Sequence, residues 1–285
     1  MKITINDKPA AITLDTEKTL GEVISGIELW ISSIGSRMQK ICVNGKEIKA
    51  DALEEVFPID VNEIEKLDIL IIPWRELAAE ALGNLYETCL VYSNAGFDER
   101  KSISLTWQDS SAARFLESDM PDIFNLACLC LSGEGLLPSD LIILLEERLN
   151  EIKDPVQTIE NLENHVKIIA ERMEVLPLDM QTGKDRKAAE TVQLFSQIAE
   201  KLFRIFFIHR SEGLLLDSFT IDGLPAGSFI EELNTSLKEL TSAYENNDTV
   251  LIGDISEYEL APRLLKFYSA LKNITKWPSP VASGP

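Results

Sequence analysis

The segment Gly253–Leu260 carries the densest acidic cluster on any helix that the sequence predicts. Asp254 and Glu257 are three residues apart and therefore share a helix face, and Tyr258 and Glu259 follow directly. Carboxylates at this spacing can hold a cation, bind a basic side chain of a partner protein, or form a solvated acidic surface. A solvated acidic surface is the ordinary interpretation of such a cluster, and these residues are the candidates for partner binding: Asp254, Glu257, Tyr258 and Glu259.

A metal site is not predicted, and neither is a cofactor. Helical di-metal carboxylate sites use Glu-x-x-His pairs from two helices, whereas Glu163 precedes His165 at a different spacing. Cys128 and Cys130 are two residues apart and point to different sides of a predicted helix, so they cannot form a compact ligand pair.

Nucleophilic catalysis would have to use one of the two histidines, His165 or His209. Neither lies in a loop context typical of catalytic residues, and no GxSxG elbow is present. We therefore expect a non-catalytic protein. The enzymatic alternative is an acidic site that uses Asp254 and Glu257, placed between the N-terminal unit and the helical region.

A second alternative is phosphotransfer through His165. His165 on a predicted helical bundle can be compared with histidine phosphotransfer bundles. Those bundles usually show Lys three residues after the His, followed by Gly. Here Lys167 comes one residue early and the Gly is missing. The sequence therefore favours an ordinary histidine on a helix surface, and phosphotransfer is kept as the alternative.

The bulk composition excludes two classes of partner. Among 285 residues, 47 are acidic and 27 basic, which gives a formal net charge of −20. Nucleic acids and anionic membranes are bound by Lys and Arg, so neither is an expected partner. No run of about 18 apolar residues and no signal-peptide pattern is seen. With four cysteines interpreted as buried thiols, we expect a cytoplasmic protein whose partner is another protein.

The elements that position the acidic cluster belong to an antiparallel four-helix bundle predicted over residues 154–274. Its helices run from Asp154 to Leu176, from Thr182 to Arg210, from Ser228 past Tyr244, and from Thr249 to Asn273. Gly253 and Pro262 predict a kink or break near Leu260. A loop is predicted over 178–181, a small strand and turn over 218–223, and a flexible tail over 275–285. In the fourth helix, these side chains are expected to face inward: Leu251, Ile255, Tyr258, Leu265, Tyr268 and Leu271.

Residues 74–153 are predicted to be connecting helices packed on the bundle. One part of them, residues 97–108, could instead be extended. Ile103, Leu105 and Trp107 alternate with polar residues there, which is the period-two pattern of a strand.

Residues 1–73 predict a small mixed unit with the order strand, strand, helix, strand, short strand, strand. Ile3 and Ile5 alternate with polar residues, residues 11–14 are predicted to be the returning strand, and Asn44-Gly45 is a strong hairpin signal. The opening MKITINDK and the later ICVNGKEI resemble the sulfur-carrier members of the ubiquitin-like β-grasp superfamily. That resemblance implies the fold, with a sheet face or edge for binding another protein. The carrier chemistry needs a free C-terminal Gly-Gly, which the sequence lacks, since the last strand ends in Ile71-Ile72-Pro73.

The predicted fold class is therefore α+β, with an N-terminal β-grasp unit followed by a mainly helical region containing a four-helix bundle. The predicted function is that of an adaptor, a scaffold or a chaperone-like protein.

Overall fold

The structure is a computed structural model that describes residues 1–10, 12, 16–49, 52–211, 219–246 and 248–274. Contacts group most of these residues into two units, residues 1–153 and residues 154–210 with 219–274. None of the helices in these ranges combines the length and the apolarity needed to span a bilayer.

The first unit begins with a five-stranded mixed sheet in the order β2-β1-β5-β3-β4, in which β1 and β5 are parallel. The predicted order of strands and helix is confirmed, and the fold is β-grasp-like. One side of the sheet packs on α1 around Ile24, Leu67 and Ile69. The elements are β1 (Lys2–Ile5), β2 (Lys8–Pro9), α1 (Leu20–Ser33), β3 (Ser36–Val43), β4 (Lys46–Ile48), α2 (Leu53–Val56), a 3₁₀ turn (Val61–Glu63) and β5 (Lys66–Pro73).

Local sequence explains two features of this sheet. Asn44 and Gly45 both adopt positive φ, 50° and 81°, as the tight β3–β4 hairpin requires. Thr19 and Glu22 form a capping box that begins α1. The returning strand predicted over residues 11–14 lies mostly outside the described residues.

Strand β5 continues without a loop into five helices that complete the first unit. The Trp74 backbone N–H donates to Gly35 O at 2.9 Å, and its indole Nε1 donates to Asp119 Oδ1 at 3.0 Å. Arg37 Nη2 donates to the same Asp119 oxygen at 2.9 Å, so that carboxylate ties the sheet to the helices. The helices are α3 (Trp74–Asn94), α4 (Phe97–Gln108), α5 (Ser111–Asp119), α6 (Pro121–Leu131) and α7 (Pro138–Lys153).

The extended conformation considered for residues 97–108 is wrong, because this segment is helix α4. Ile103 and Trp107 are four residues apart as well as alternating, so the same pattern fits a helix face. Trp107 is buried and stacks on Phe124 with the ring centroids 5.9 Å apart, whereas Leu105 is exposed. Packing of the Trp107 ring therefore selects the helix.

The second unit is a helical bundle with a single core. Phe206 and Phe203 from α10 meet Phe267 from α13, with ring centroids 6.0 and 5.2 Å apart. Its elements are α8 (Pro155–Glu174), α9 (Leu176–Gln181), α10 (Asp185–Ser211), β6 (Thr220–Ile221), β7 (Leu224–Pro225), α11 (Ala226–Glu245), α12 (Thr249–Asp254), a π-helical segment (Ile255–Leu260) and α13 (Ala261–Ile274).

Two connections in this unit, at residues 178–181 and 218–223, can be compared with the sequence predictions. The loop predicted over residues 178–181 is wrong, because α9 forms there with Pro177 in its first turn, where the missing N–H costs nothing. Asp179 is buried in α9 and its Oδ2 accepts from Lys187 Nζ at 2.7 Å. The strand considered for residues 218–223 is present as β6, and the turn that follows it leads into β7. Ser218 and the tail 275–285 lie outside the described residues.

Candidate functional site

The four predicted site residues lie at the junction of α12 and the π-helical segment, which we call the π segment. Asp254 is the last residue of α12 and is exposed, and Glu257 is half-buried. Tyr258 is 68% exposed, which contradicts the expectation that it faces the core. Leu251 is exposed as well, at 43%.

The π segment itself explains why Tyr258 faces outward. The N–H of Ala261 donates to Ser256 O, five residues back, which is the π-helical pattern. Pro262, which lacks an N–H, follows in the first turn of α13. The extra residue in this turn shifts the helix register, so Ile255 and Leu260 are both buried and Tyr258 points to solvent.

Two contacts fix the π segment on the bundle. Gly253 approaches α9 so closely that a Cβ at this position would lie 3.0 Å from Pro177 Cγ. Ser256 is fully buried, and its Oγ donates to Gly253 O at 3.1 Å. The backbone that carries Asp254 and Tyr258 is therefore held from beneath.

Glu259 has a different role from the other three residues, because its carboxylate is engaged within the bundle. Ser236 Oγ on α11 donates to Glu259 Oε2 at 2.5 Å, and Arg263 Nη1 donates to the same oxygen at 2.9 Å. Arg263 Nη2 also reaches Glu232 at 3.4 Å. Glu259 thus joins the π segment to α11, and the structure separates it from the outward-facing group.

Tyr258 and Glu257 form the polar part of that outward-facing group. A hydrogen bond to the Glu257 carboxylate raises the pKa of Tyr258, and the nearby charge of Asp254 acts in the same direction. A phenol is protonated at neutral pH, so the Tyr258 O–H is the donor to the Glu257 carboxylate.

Exposed apolar side chains extend this group, and the sequence interpretation missed them. Val250 on α12 is 70% exposed, and Leu178 on α9 is 57% exposed. Their two helices pack together through the contact of Gly253 with Pro177. The full set, which we call the α9–α12 surface, consists of Leu178, Val250, Leu251, Asp254, Glu257 and Tyr258. The exposure of Leu251 depends on the register of its helix, which the sequence pattern did not predict. The exposure of Leu178 depends on the helical conformation of residues 178–181, which were predicted to be a loop.

His165 is exposed on α8, and its Nδ1 lies 3.4 Å from Asn161 O. Nearby, Glu163 pairs with Lys167 at 2.8 Å and with Lys272 at 2.5 Å, and these two ammonium groups lower the pKa of Glu163 to about 2. Phosphotransfer through His165 stays a prediction, as does the enzymatic alternative.

His209 is buried in the last turn of α10. Within the described residues, no group of three or more His, Cys, Asp or Glu side chains is placed to hold a metal ion.

The four cysteines are free thiols, and two of them form a buried pair. Cys89 on α3 and Cys130 on α6 are both at most 1% exposed. A hydrogen bond to Cys130, together with burial, raises the pKa of Cys89. Cys42 and Cys128 are half-buried, so the expectation of four buried thiols holds for two.

Two family models match parts of the chain. Residues 1–73 match the model described as TP0873 N-terminal domain, and residues 157–270 match the Domain of unknown function (DUF8042). An uncharacterized protein of Treponema pallidum (strain Nichols) is 22% identical over 263 residues, which are 92% of each chain. No solved structure matches significantly. The chain is thus similar to a relative along nearly its whole length, and the two matched regions correspond to the sheet and to most of the helical bundle.

Proposed function

We propose that the chain is a non-catalytic protein-interaction protein of the cytoplasm, an adaptor, scaffold or chaperone-like protein, and that its α9–α12 surface contacts a protein partner. The observation that carries the proposal is an exposed Tyr258, flanked by Asp254 and Glu257 and by exposed aliphatic side chains, on a turn fixed from beneath. The four free thiols are in keeping with a reducing compartment.

The chemistry of this surface defines the partner. Tyrosine is enriched at binding hot spots because it buries a large ring, loses few rotamers and keeps a polar tip. Val250 and Leu251 add apolar area around it, and Asp254 and Glu257 favour Lys or Arg on the other side. The expected partner surface is therefore apolar at its centre and basic at its rim.

The experiment is affinity capture with crosslinking from a lysate of the source organism, using the wild-type chain and two double variants. The site variant is Asp254→Lys with Tyr258→Ser. The control is Ile168→Ser with Glu171→Lys, which makes the same kind of change on the exposed face of α8 in the same unit. Circular dichroism shows whether each variant keeps its helical content.

The proposal expects at least one protein that is retained by the wild type and by the α8 control and is lost with the site variant. Crosslinks should fall on residues of α12 or the π segment. Equal retention by all three chains would overturn the assignment of this surface. Retention of nothing above background would count against an interaction protein.

A further inference from the structure

An open groove lies between the second half of α3 and the helix α4, within the first unit. Its volume is about 670 Å³. Two apolar side chains at the groove or beside it are strongly exposed, Val91 at 57% and Phe97 at 90%. The lining residues are Leu90, Val91, Asn94, Ala95, Glu99, Ser102 and Ile103.

The α3–α4 corner that shapes this groove is held by its own hydrogen bonds. Glu99 Oε2 accepts from the Gly96 N–H at 3.1 Å and so caps the start of α4. Arg100 donates from Nε to Tyr92 O at 3.1 Å and from Nη2 to Ser93 O at 3.3 Å, and its guanidinium lies 5.1 Å from the centroid of the Tyr92 ring. A groove fixed in this way needs little reorganisation when it binds.

Charge around the groove is negative. Glu99 is the ionisable side chain among the seven lining residues. Asp98 adjoins Phe97, and Glu87 lies one helical turn before Val91 on α3. Arg100 is a cation beside these acids, and its guanidinium donates hydrogen bonds to the carbonyl groups of Tyr92 and Ser93 on α3.

Lys101 is two positions from Glu99 and therefore projects from the opposite side of α4. A bound segment thus meets apolar side chains at the centre of the groove and carboxylates at its edges.

We infer that this α3–α4 groove binds a basic amphipathic helix of a partner protein. A helix lays apolar side chains spaced at i, i+3, i+4 and i+7 into such a groove. Lys or Arg on its flanks complements Glu87, Asp98 and Glu99. A second copy of this chain is disfavoured because each copy carries a net charge of −20.

The groove belongs to the first unit, so this inference stands or falls separately from the proposal for the α9–α12 surface. The probe is a fluorescein-labelled helical peptide of about 18 residues, five turns, with Leu on one face and Lys on the other. One comparison peptide has the same composition with the apolar face scrambled, and another has Glu in place of Lys. Binding to the full chain is followed by fluorescence anisotropy at two salt concentrations.

Two pairs of variants locate the binding. The apolar test is Val91→Ser with Phe97→Ser, and its control is Leu137→Ser with Ile143→Ser, two exposed side chains elsewhere in the same unit. Because each contacted side chain contributes through burial, the groove variant should bind the Leu/Lys peptide about tenfold more weakly or worse, and the control should match the wild type.

The charge test compares Glu87→Lys with Glu117→Lys, an exposed residue on α5. We expect a loss of a few-fold for Glu87→Lys and a smaller one for Glu117→Lys. In the wild type, hydrogen exchange should slow over residues 87–103 when the peptide is bound, which locates the site without any variant.

Three results would overturn the inference. The scrambled peptide could bind as tightly as the Leu/Lys peptide, which would mean attraction of charge alone. The peptide could protect residues other than 87–103. The chain could form a dimer, measured by light scattering, that the Val91→Ser, Phe97→Ser variant abolishes, which would make a second copy the occupant.

Discussion

The close approach of Gly253 to Pro177 makes a stability prediction that runs against helix propensity. An alanine Cβ at position 253 would lie 3.0 Å from Pro177 Cγ and 3.2 Å from Pro177 Cβ. A proline ring cannot rotate away, so α9 or α12 must shift. Overpacking of this kind costs about 1–3 kcal/mol, and the gain from replacing a helical glycine is about 1 kcal/mol. We expect Gly253→Ala to lower the free energy of unfolding by about 1 kcal/mol.

The matched control is Gly227→Ala in the first turn of α11 of the same unit. A Cβ there meets no atom within 4 Å, so only propensity acts, and stability should stay equal or rise by up to about 1 kcal/mol.

Urea unfolding followed by far-UV circular dichroism measures both variants. With a slope of about 2 kcal/mol per M, Gly253→Ala should lower the midpoint by about 0.5 M. Hydrogen exchange should speed up in α9 and α12. A Gly253→Ala chain as stable as the Gly227→Ala chain would show that the approach of α9 to α12 is not as close as described.

Three further predictions concern side chains whose partners are known. Glu259→Ala should lower the free energy of unfolding by about 1 kcal/mol because it removes an acceptor from a part-buried network, whereas Glu257→Ala should change it by less than about 0.5 kcal/mol in the same urea assay. Glu163→Gln should be less stable than the wild type at pH 6 and equal to it near pH 2, as followed by unfolding midpoints. In the native chain, half-buried Cys42 should react with maleimide before buried Cys89, as measured by peptide mass spectrometry.

The sign of the pH effect follows from the lowered pKa of Glu163. A carboxylate whose pKa is about 2 when folded and 4.5 otherwise stabilises the folded chain fully above pH 4.5. That stabilisation is lost as the pH falls through about 2. A constant difference between the two chains from pH 6 to pH 2 would contradict it. For the other two predictions, equal effects of the two glutamate variants, or labelling of Cys89 as fast as Cys42, would be the contrary result.

Sequence reasoning was sufficient for the sheet because its signals are local. Period-two alternation and a hairpin dipeptide each lie within a few residues, and with the helix between them they specify the order of the elements. Gly253 and Pro262 predicted a kink or break near Leu260, and the structure has the π segment there.

The orientation of Tyr258 could not be predicted in the same way. A regular three-four pattern places Tyr258 beside Ile255 on the inner face, and only the extra residue in the π segment moves it outward. That extra residue accompanies the contact of Gly253 with Pro177, two residues far apart in the chain. The α3–α4 groove could not be predicted for a related reason. Its shape depends on the hydrogen bond by which Arg100 on α4 contacts the Tyr92 carbonyl on α3.

The direct junction of β5 with α3 fixes the distance between the sheet and the α3–α4 groove. β5 is the central strand of the sheet, hydrogen-bonded to β1 and β3, and α3 begins at the very next residue, Trp74. From Trp74 to Val91 the helix rises about 25 Å, at about 1.5 Å per residue. A helix bound in the α3–α4 groove would therefore lie at a fixed distance from the sheet. A second protein bound to the sheet would lie at the same fixed distance from that helix.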